Sequence, residues 1–347
     1  MQKYRRGLTR RRFVKGIGAA SVTVMTGPFL WGQDKAGSKR PVLGGGEHRY
    51  ECIHDWLEPP KGIKWGDTHG LCQDADGRIY VAHTVHGSSE RGDAVVVFDE
   101  KGKFVKSWGE KFRGGAHGLD IRKEGADEFL YHCDTGRRLV VKTSLGGEVL
   151  WEKSFPSEAG VYKDVKGFRP TNVAFAPDGG FYVGDGYGSS YIHQYDVAAN
   201  YVRTIGLPGK EKGQLSCPHG LWVDDRTQPA RLVVADRSNR RLQYFTLDGE
   251  HVGFVRDGIR LPCHFKTRGE WMLIPDLESA VMILNGKNKV VATLGDGHPS
   301  KLRGAPRDKF IPGKFVHPHD AIFLHNGDIL VAEWVPIGRI TLLRKIT

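Results

Sequence analysis

The sequence predicts an all-β fold, a six-bladed β-propeller, from two observations. The first is a histidine that recurs just before an apolar segment about every fifty residues, a period typical of propeller repeats. These histidines are His69, His117, His219, His264 and His319, and Thr171 takes the same place in a sixth copy. The second is that each copy continues through short β-rich runs bounded by Gly and Asp, which indicates antiparallel sheets of four strands.

The second strand of the repeat ends in an acidic residue in five of the six copies. These residues are Asp134, Asp185, Asp236, Asp276 and Glu333, and the first copy has His83 instead. A carboxylate at a strand end can accept hydrogen bonds from backbone N–H groups of its own blade. We therefore interpret these carboxylates as hydrogen-bond acceptors within their blades. One or two of them would orient a metal-ligand imidazole by contacting the ring nitrogen that does not bind the metal.

Residues 1–32 are predicted to be an export signal. The run 9–15, TRRRFVK, matches the twin-arginine pattern of Ser or Thr, two arginines, any residue, Phe, an apolar residue and Lys. The apolar stretch 16–31 is interrupted by Gly, Thr and Pro, and it is shorter than the roughly 18–20 residues that span a bilayer. We therefore expect a periplasmic or secreted protein, exported by the twin-arginine route, without a stable membrane span after signal removal.

The positive charge of the chain is concentrated in that segment. Seven lysines and arginines and no acidic residue lie within residues 1–15, so the formal net charge of +11 falls to +4 without them. The remaining excess is spread thinly and forms no basic block. Because nucleic-acid-binding proteins carry clustered Lys and Arg, the sequence argues against a nucleic-acid partner.

Residues 33–46 are rich in Gly, Lys and Ser and are predicted to be a linker, and 47–347 to be the propeller. The segment 50–56 has strand character before the first repeat opens, whereas the last repeat supplies only three strands after His319. We expect the N-terminal strand to pair with the last blade, because this closes the ring and removes an exposed sheet edge. We expect the protein to be a monomer.

The five cysteines lie far apart in the sequence and form no C-x-x-C pair. They are Cys52, Cys72, Cys133, Cys217 and Cys263. Export permits disulfides, but an odd number leaves at least one thiol unpaired, and the sequence does not give the connectivity. Since four of them lie in or beside predicted inner strands, we interpret them as buried thiols that pack as small apolar side chains.

The recurring histidines predict a metal site on the propeller axis. Equivalent positions of successive repeats form a ring at one depth, so the five imidazoles would converge across a narrow channel, as transition-metal ligands do. The main prediction is the set from alternate blades, His117, His219 and His319. The additional candidates are His69, His83, His86, His264 and His317. The alternative is that each histidine only forms hydrogen bonds within its own blade.

Two kinds of motif carry a family resemblance. The run 235–242, ADRSNRRL, resembles an NHL repeat, and Ala-His-Gly-Leu, Pro-His-Gly-Leu and Pro-His-Asp resemble motifs of the peptidyl-α-hydroxyglycine α-amidating lyases. Those lyases are six-bladed propellers that split a hydroxyglycine-extended peptide into peptide amide and glyoxylate. The resemblance covers most of the chain after residue 65. The ligands that it implies are His117, His219 and His319 for zinc, and the Asp320 side chain with the Leu71 and Leu119 carbonyls for a structural calcium.

The resemblance also implies two catalytic residues. Tyr187, in Asp-Gly-Tyr, matches the active-site tyrosine of the lyases, and Arg237, in Ala-Asp-Arg, matches one of their arginines. A phenol beside a metal ion has a lowered pKa and can transfer protons, so Tyr187 would act as acid or base. The planar guanidinium of Arg237 would pair with an anionic group of the substrate.

The chain departs from the lyase pattern at three places. Thr84 follows His83 where the lyases carry an arginine that binds the substrate carboxylate, His317 replaces a methionine, and Gly188 follows Tyr187, so the disulfide found there in the lyases has no counterpart. The imidazoles of His83, His86 and His317 could enlarge the metal site or replace that arginine. These departures favour a biological reaction other than peptide amidation, on a different substrate.

We therefore predict an exported, zinc-dependent, lyase-like enzyme that acts on a small-molecule or peptide-like substrate with a hydroxyl or carbonyl group. The metal would act as a Lewis acid. The main alternative is a non-catalytic NHL-repeat propeller that binds a protein or glycan, which the missing arginine favours. A third class, a calcium-dependent hydrolase, fits less well, because the predicted ring is rich in imidazoles and poor in carboxylates.

Overall fold

The computed structural model of the chain describes residues 31–33 and 39–346. This part contains 28 β-strands, five single-turn 3-10 helices and no α-helix. The strands form six antiparallel blades around one axis, as the sequence predicted. Of the predicted signal segment, residues 1–30 lie outside the described residues. Among the residues described, none form a helix long and apolar enough to cross a bilayer.

The chain enters the ring through three strands and then builds three blades in order. The first strands are β1 (Trp31–Gln33), β2 (Lys39–Gly45) and β3 (His48–Ile53). Blade 1 contains β4 (Thr68–Gln73), β5 (Ile79–His83), β6 (Val95–Phe98) and β7 (Phe104–Trp108). Blade 2 contains β8 (Ala116–Glu124), β9 (Asp127–Asp134), β10 (Leu139–Ser144) and β11 (Val149–Lys153). Blade 3 contains β12 (Asn172–Phe175), β13 (Phe181–Gly184), β14 (Ile192–Tyr195) and β15 (Tyr201–Ile205).

The remaining strands complete the ring. A short parallel pair, β16 (Leu207–Pro208) and β17 (Gln214–Leu215), leads into blade 4. Blade 4 contains β18 (Pro218–Asp224), β19 (Arg231–Asp236), β20 (Arg241–Phe245) and β21 (His251–Val255). Blade 5 contains β22 (Lys266–Arg268), β23 (Trp271–Asp276), β24 (Ala280–Leu284) and β25 (Val290–Leu294), and blade 6 begins with β26 (Pro318–Phe323), β27 (Ile329–Glu333) and β28 (Arg339–Lys345). The 3-10 helices are Glu110–Phe112, Ser157–Ala159, Val165–Gly167, Arg237–Asn239 and Arg307–Lys309.

Both ends of the chain close the ring, as predicted. Strand β3 pairs antiparallel with β28, with Cys52 opposite Leu343, and becomes the fourth strand of blade 6. Tyr50 and Cys52 of β3 are buried against blades 5 and 6. The closure therefore covers the edge of β28 and also adds apolar contacts between the last two blades.

The prediction that residues 33–46 form a linker is wrong for the second half of that segment. Residues 39–45 form β2, which pairs antiparallel with β3 and places Leu43 opposite Tyr50. Leu43 is buried in a cluster with Leu294 and Phe315. The Gly- and Lys-rich composition concealed this strand, because one buried leucine and a neighbouring strand are enough to order it.

The hydrophobic core lies between neighbouring blades. One cluster joins Val95 and Val97 of blade 1 to Leu119 and Leu130 of blade 2, and another joins blade 1 to Leu330 of blade 6. Each sheet buries both faces in this way, which explains why the middle strands are apolar without interruption. Burial of one such side chain contributes about 1.5–3 kcal/mol, so the ring is held by contacts that cross from blade to blade.

The acidic residues that end the second strands lie inside their blades and accept backbone hydrogen bonds. Asp185 accepts from the N–H groups of Arg169 and Ser189, both at 2.6 Å. Asp276 accepts from Leu261 and Glu333 from Val316, at 2.7 Å in both cases. Each carboxylate thus ties its strand to the segment that leads into the inner strand. The interpretation as blade hydrogen bonding is confirmed.

We expect a large loss of stability when one partner of the Asp236–Arg241 ion pair in blade 4 is removed. Both side chains are buried, and Arg241 Nε donates to Asp236 Oδ2 at 2.5 Å. Asp236→Ala leaves a buried guanidinium without its counterion, so we expect the free energy of unfolding to fall by about 3–5 kcal/mol. Urea unfolding measures this change.

The matched control is Arg240→Ala in the same loop. Arg240 pairs with Glu278 while about half of its side chain is exposed, so its loss should cost about 1 kcal/mol or less. Equal losses for the two variants would contradict the role assigned to the buried pair.

Candidate functional site

Four of the five recurring histidines converge on the propeller axis. His117, His219 and His319 lie at the starts of β8, β18 and β26, and all three are buried. Their ring centroids form a nearly equilateral triangle with sides of 4.9, 4.7 and 4.8 Å. His69, at the start of β4, lies beside this triangle, with its centroid 4.7 Å from that of His117.

A backbone carbonyl of another inner segment fixes each ring of the triangle. The Nδ1 atom of His117 lies 2.7 Å from the Thr171 oxygen, that of His219 lies 2.9 Å from the Cys263 oxygen, and that of His319 lies 3.0 Å from the His69 oxygen. A carbonyl can only accept, so Nδ1 carries the proton in each ring and Nε2 keeps its lone pair. The Nε2 atoms of His117 and His219 lie 3.2 Å apart.

The glycine of the His-Gly-Leu motif allows the neighbouring inner strands to approach this closely. A Cβ at Gly118 would lie 2.4 Å from the Thr171 oxygen, and a Cβ at Gly220 would lie 2.2 Å from the Cys263 oxygen. Both oxygens are the acceptors that hold the imidazoles. The motif therefore combines the metal-ligand candidate with the backbone contact that orients it.

Burial keeps the imidazoles of the triangle neutral. It lowers the pKa of His117 to about 3, and it lowers the pKa values of His219 and His319 well below the usual range. The positive charge of Arg237 lowers all three further. A neutral imidazole with a free Nε2 lone pair is the form that binds zinc, so the residues present fit the predicted zinc ion.

Two more potential donors adjoin the triangle. The Nδ1 atom of His69 lies 3.3 Å from His319 Nε2, and the donor atoms of His69, His117 and His319 all lie within 4.8 Å of one another. The Cys263 thiol forms a similar group with His219 and His319. Burial raises the pKa of Cys263 to about 12, so this thiol is protonated. The axial cavity that these residues line has a volume of about 10 Å³, which is of the size of one water molecule or ion.

Tyr187 occupies the gap in the histidine ring. The hydroxyl of Tyr187 lies 3.2 Å from His117 Nε2 and 3.0 Å from His219 Nε2. It comes from blade 3, where Thr171 replaces the histidine, and so it reaches the imidazoles of blades 2 and 4 on either side. Gly186 brings the backbone directly over Thr171, since a Cβ at Gly186 would lie 2.9 Å from its Cγ2. The small threonine thus leaves the space that the phenol enters.

Arg237 lies next to this phenol at the mouth of the channel. Its Nη1 lies 3.5 Å from the Tyr187 hydroxyl, and its guanidinium lies 5.2 Å from the centroid of the tyrosine ring. Burial raises the pKa of Tyr187 to about 12, although the charge of Arg237 opposes the shift. The sequence-predicted pair is therefore brought together beside the imidazoles.

Three of the additional candidates lie outside the ring. His83 accepts from the Gly66 and Val85 N–H groups at 3.3 and 3.1 Å and packs on Trp65. His86 accepts from the Ser88 N–H in the loop between β5 and β6. His317 contacts the Leu277 carbonyl and Trp334 instead. None of the three lies among the imidazoles that converge on the axis, since His83 and His86 contact residues of blade 1 and its loops and His317 contacts the turn at Leu277.

His264 is on the axis but does not join the triangle, and it contacts Asp320, the side-chain ligand of the predicted calcium site. Its Nδ1 lies 2.6 Å from Asp320 Oδ1, and its Nε2 lies 3.5 Å from Asp120 Oδ2. Burial alone would lower the pKa of His264, but the two carboxylates outweigh it and raise the pKa to about 9. The second oxygen of Asp320 accepts from the Leu71 N–H at 2.8 Å. Both Asp320 oxygens are thus already engaged, one of them with an imidazolium, and the residues do not fit calcium.

Sequence reasoning missed Asp120, Lys266 and Arg303. Asp120 and Lys266 form a buried ion pair in the inner strands β8 and β22, and the signal was a charged residue inside an apolar strand segment. Arg303 lies before β26, with Nη2 2.9 Å from both carboxylate oxygens of Asp67 and its guanidinium 3.7 Å from the Trp334 ring centroid. Burial lowers the pKa of His69, and the positive charge of Arg303 lowers it further. No sequence motif marks Arg303.

The cysteines form no disulfide. All five are free thiols, and each is buried except for Cys217, which is partly exposed. The interpretation as buried thiols is confirmed for the other four. At Gly188 a side chain has no room at all, because its Cβ would lie 2.0 Å from Asp185 Oδ1.

The sequence is similar, at low identity, to amidating monooxygenases and to amidating lyases. Over 321 residues it is 27% identical to peptidyl-glycine alpha-amidating monooxygenase B of Xenopus laevis, covering 80% of this chain and 34% of that protein. Over 160 residues it is 29% identical to a probable peptidyl-alpha-hydroxyglycine alpha-amidating lyase of Caenorhabditis elegans, covering 44% and 43%. The chain spans about a third of the length of the amidating monooxygenases that it matches. No protein-family model matches it.

NHL repeat proteins and solved propellers are also similar. The chain is 25% identical over 237 residues to NHL repeat-containing protein 3 of Mus musculus, covering 63% of this chain and 65% of that protein. Virginiamycin B lyase of Staphylococcus aureus superposes with a TM-score of 0.56 at 12% identity, covering 86% of this chain and all of that one. At this identity the likeness shows the fold alone. The chain is thus a six-bladed β-propeller whose sequence is similar to hydroxyglycine amidating lyases and to NHL repeat proteins.

Proposed function

We propose that the chain is an exported, zinc-dependent, lyase-like enzyme that acts on a small or peptide-like substrate carrying a hydroxyl or carbonyl group and an anionic group. The observation that carries the proposal is the convergence of three neutral imidazoles on the axis, two of which, His117 and His219, have Nε2 within 3.2 Å of one phenol hydroxyl. A propeller that only presents a surface to a partner has no need for such an arrangement on its axis.

His117, His219 and His319 would hold the zinc ion. Three protein ligands with an open position are typical of catalytic rather than structural zinc. When bound, zinc would supply Lewis-acid polarisation of a substrate oxygen. The carbonyls of Thr171, Cys263 and His69 hold the three rings in place. The three imidazoles are therefore in position before zinc or a substrate binds.

Tyr187 would transfer the proton. Its hydroxyl lies within 3.2 Å of two of the ligand nitrogens, and part of its ring is exposed at the channel mouth. A substrate that enters from the mouth therefore meets this hydroxyl next to the imidazoles. A proton held on the Tyr187 oxygen can pass to or from a substrate oxygen at that place.

Arg237 would bind an anionic group of the substrate. Its guanidinium lies at the mouth beside Tyr187, and its charge acts on the imidazoles of the whole triangle. Arg303 adds a second guanidinium whose charge acts on His69. Because Arg303 is paired with Asp67, Arg237 is the cation that favours a carboxylate-bearing substrate over a neutral one.

Export by the twin-arginine route is part of the proposal. The pattern at 9–15 supports it, although these residues lie outside the described part of the chain. A route that carries folded proteins suits a site assembled from blades 2, 4 and 6, because the ring must close before its ligands meet.

Elemental analysis of the purified protein tests the metal centre. We expect about one zinc ion per chain, and we expect His117→Ala, His219→Ala and His319→Ala each to lose most of it, because each removes one of three ligands. Release of glyoxylate from an N-acylated α-hydroxyglycine should fall together with the zinc content.

His86→Ala is the matched control, since it removes an imidazole of the loop between β5 and β6, outside the histidine triangle, and should leave both the zinc content and the activity unchanged. A folded wild-type protein that binds no zinc, even when zinc is supplied, would favour the non-catalytic binding propeller instead.

Kinetics of two variants test the roles at the mouth. Tyr187→Phe should lower kcat by about 10²–10⁴-fold, because it removes the proton-transferring hydroxyl, and the zinc content should not change. Arg237→Met should raise KM for the free carboxylate by about 10–100-fold, as expected for a lost charged hydrogen bond.

The methyl ester of the same α-hydroxyglycine compound is the control substrate. Wild type should prefer the carboxylate, and Arg237→Met should have lost that preference. If the variant keeps the preference, Arg237 does not bind the substrate anion.

Cell fractionation tests export. Replacement of both signal arginines, Arg10→Lys with Arg11→Lys, should retain the protein in the cytoplasm, because the twin-arginine pattern depends on this pair. Unchanged export of the double variant would contradict the route.

A further inference from the structure

Four charged side chains form a buried chain on the axis, next to the histidine triangle. Asp320 contacts His264 Nδ1 at 2.6 Å, His264 Nε2 lies 3.5 Å from the carboxylate of Asp120, and Asp120 forms an ion pair with Lys266. All four side chains are at least nearly buried, and Lys266 is the most exposed at 12%. Isolated charges at such a depth are strongly unfavourable, so each must be neutralised by its neighbours.

The chain of charges connects blades across the axis. Asp120 lies in β8 of blade 2, Asp320 in β26 of blade 6, and Lys266 in β22 of blade 5. His264 precedes β22, and the Leu71 N–H that donates to Asp320 belongs to blade 1. Four of the six blades therefore meet at two carboxylates. A cross-link of this kind is the usual structural role of a divalent cation held between segments of a protein.

The geometry also specifies the charge of the imidazole. His264 Nδ1 lies at hydrogen-bond distance, 2.6 Å, from Asp320 Oδ1, whereas Nε2 lies 3.5 Å from Asp120 Oδ2 and neither of these two atoms has another hydrogen-bond partner among the described residues. Carboxylate oxygens accept but do not donate. A neutral ring would place a lone pair against one of them, whereas a doubly protonated ring attracts both. Two carboxylates, one imidazolium and one ammonium then sum to zero.

We propose that His264 and Lys266 supply to Asp120 and Asp320 the two positive charges that a divalent cation would otherwise supply, so that the axis is held together without calcium. The inference goes beyond the proposed function and does not depend on zinc or on catalysis. It follows that removing the two side-chain charges should create a calcium site where none exists in the native chain.

A route for the ion is present. A cavity of about 170 Å³ is lined by Asp120, Lys266 and Trp222, together with residues at the far ends of the inner strands. It adjoins the carboxylate of Asp120 without passing the histidine triangle. Calcium added to a variant can therefore reach Asp120 from this side.

The wild-type protein provides the first test. We expect less than a tenth of a calcium ion per chain in elemental analysis, and the same melting temperature in calcium-free buffer as in millimolar calcium, with zinc present in both. One tightly bound calcium per chain, or a lower melting temperature without calcium, overturns the proposal.

The double variant His264→Asn/Lys266→Met provides the second test. It keeps the side-chain volumes but leaves two buried carboxylates unpaired, so the melting temperature in calcium-free buffer should fall by roughly 5–10 °C. Millimolar calcium should restore most of this loss, and Asp120→Asn in the same background should abolish the rescue. A double variant as stable as wild type, or one that calcium does not rescue, overturns the proposal.

Lys266→Met alone keeps the test decisive if the double variant does not fold. It should melt below wild type, and calcium should restore part of the difference. The absence of any calcium effect on this variant also overturns the proposal. Zinc content is measured in parallel. A wrong zinc-site proposal would show in the zinc content, whereas a wrong charge-replacement proposal would show in the calcium content and in the effect of calcium on the melting temperature.

Discussion

The hydrogen bond from an imidazole Nδ1 to a backbone carbonyl of another inner segment is the interaction on which the site depends. It occurs three times, from His117 to Thr171, from His219 to Cys263 and from His319 to His69. Each bond fixes both the tautomer and the direction of its ring, so that Nε2 faces the axis. The acceptor belongs to a neighbouring inner segment, and the ring orientation is therefore determined by how the blades pack.

The axis combines two electrostatic environments within a few ångströms. The triangle of imidazoles is neutral, because burial and Arg237 disfavour the protonated form. His264, at the equivalent repeat position in blade 5, is cationic, because Asp120 and Asp320 face it. The same residue type thus serves as a metal-ligand candidate in one case and as a fixed positive charge in the other. The neighbouring carboxylates account for the difference.

Blade 3 contributes no histidine to the ring, and the side chain of Tyr187 occupies the space instead. Thr171 contributes the carbonyl that holds His117, and its short side chain leaves space for Tyr187 from the same blade. The phenol reaches the histidines of both flanking blades. The irregular copy of the repeat therefore places a phenol hydroxyl within 3.2 Å of two members of the triangle, which is why this position carries the proposed proton transfer.

The sequence alone determined the number of blades, the closure by the N-terminal strand and the three converging histidines, because repeat spacing and strand pattern are local features of the chain. It did not determine β2, which depends on burial of Leu43 by residues distant in sequence. Nor did it separate His264 from the ring, pair Asp320 with that imidazole or find Arg303. Those outcomes depend on which charges lie opposite one another once six blades have closed, and only the tertiary structure brings Asp120, Asp320 and Lys266 to a single point.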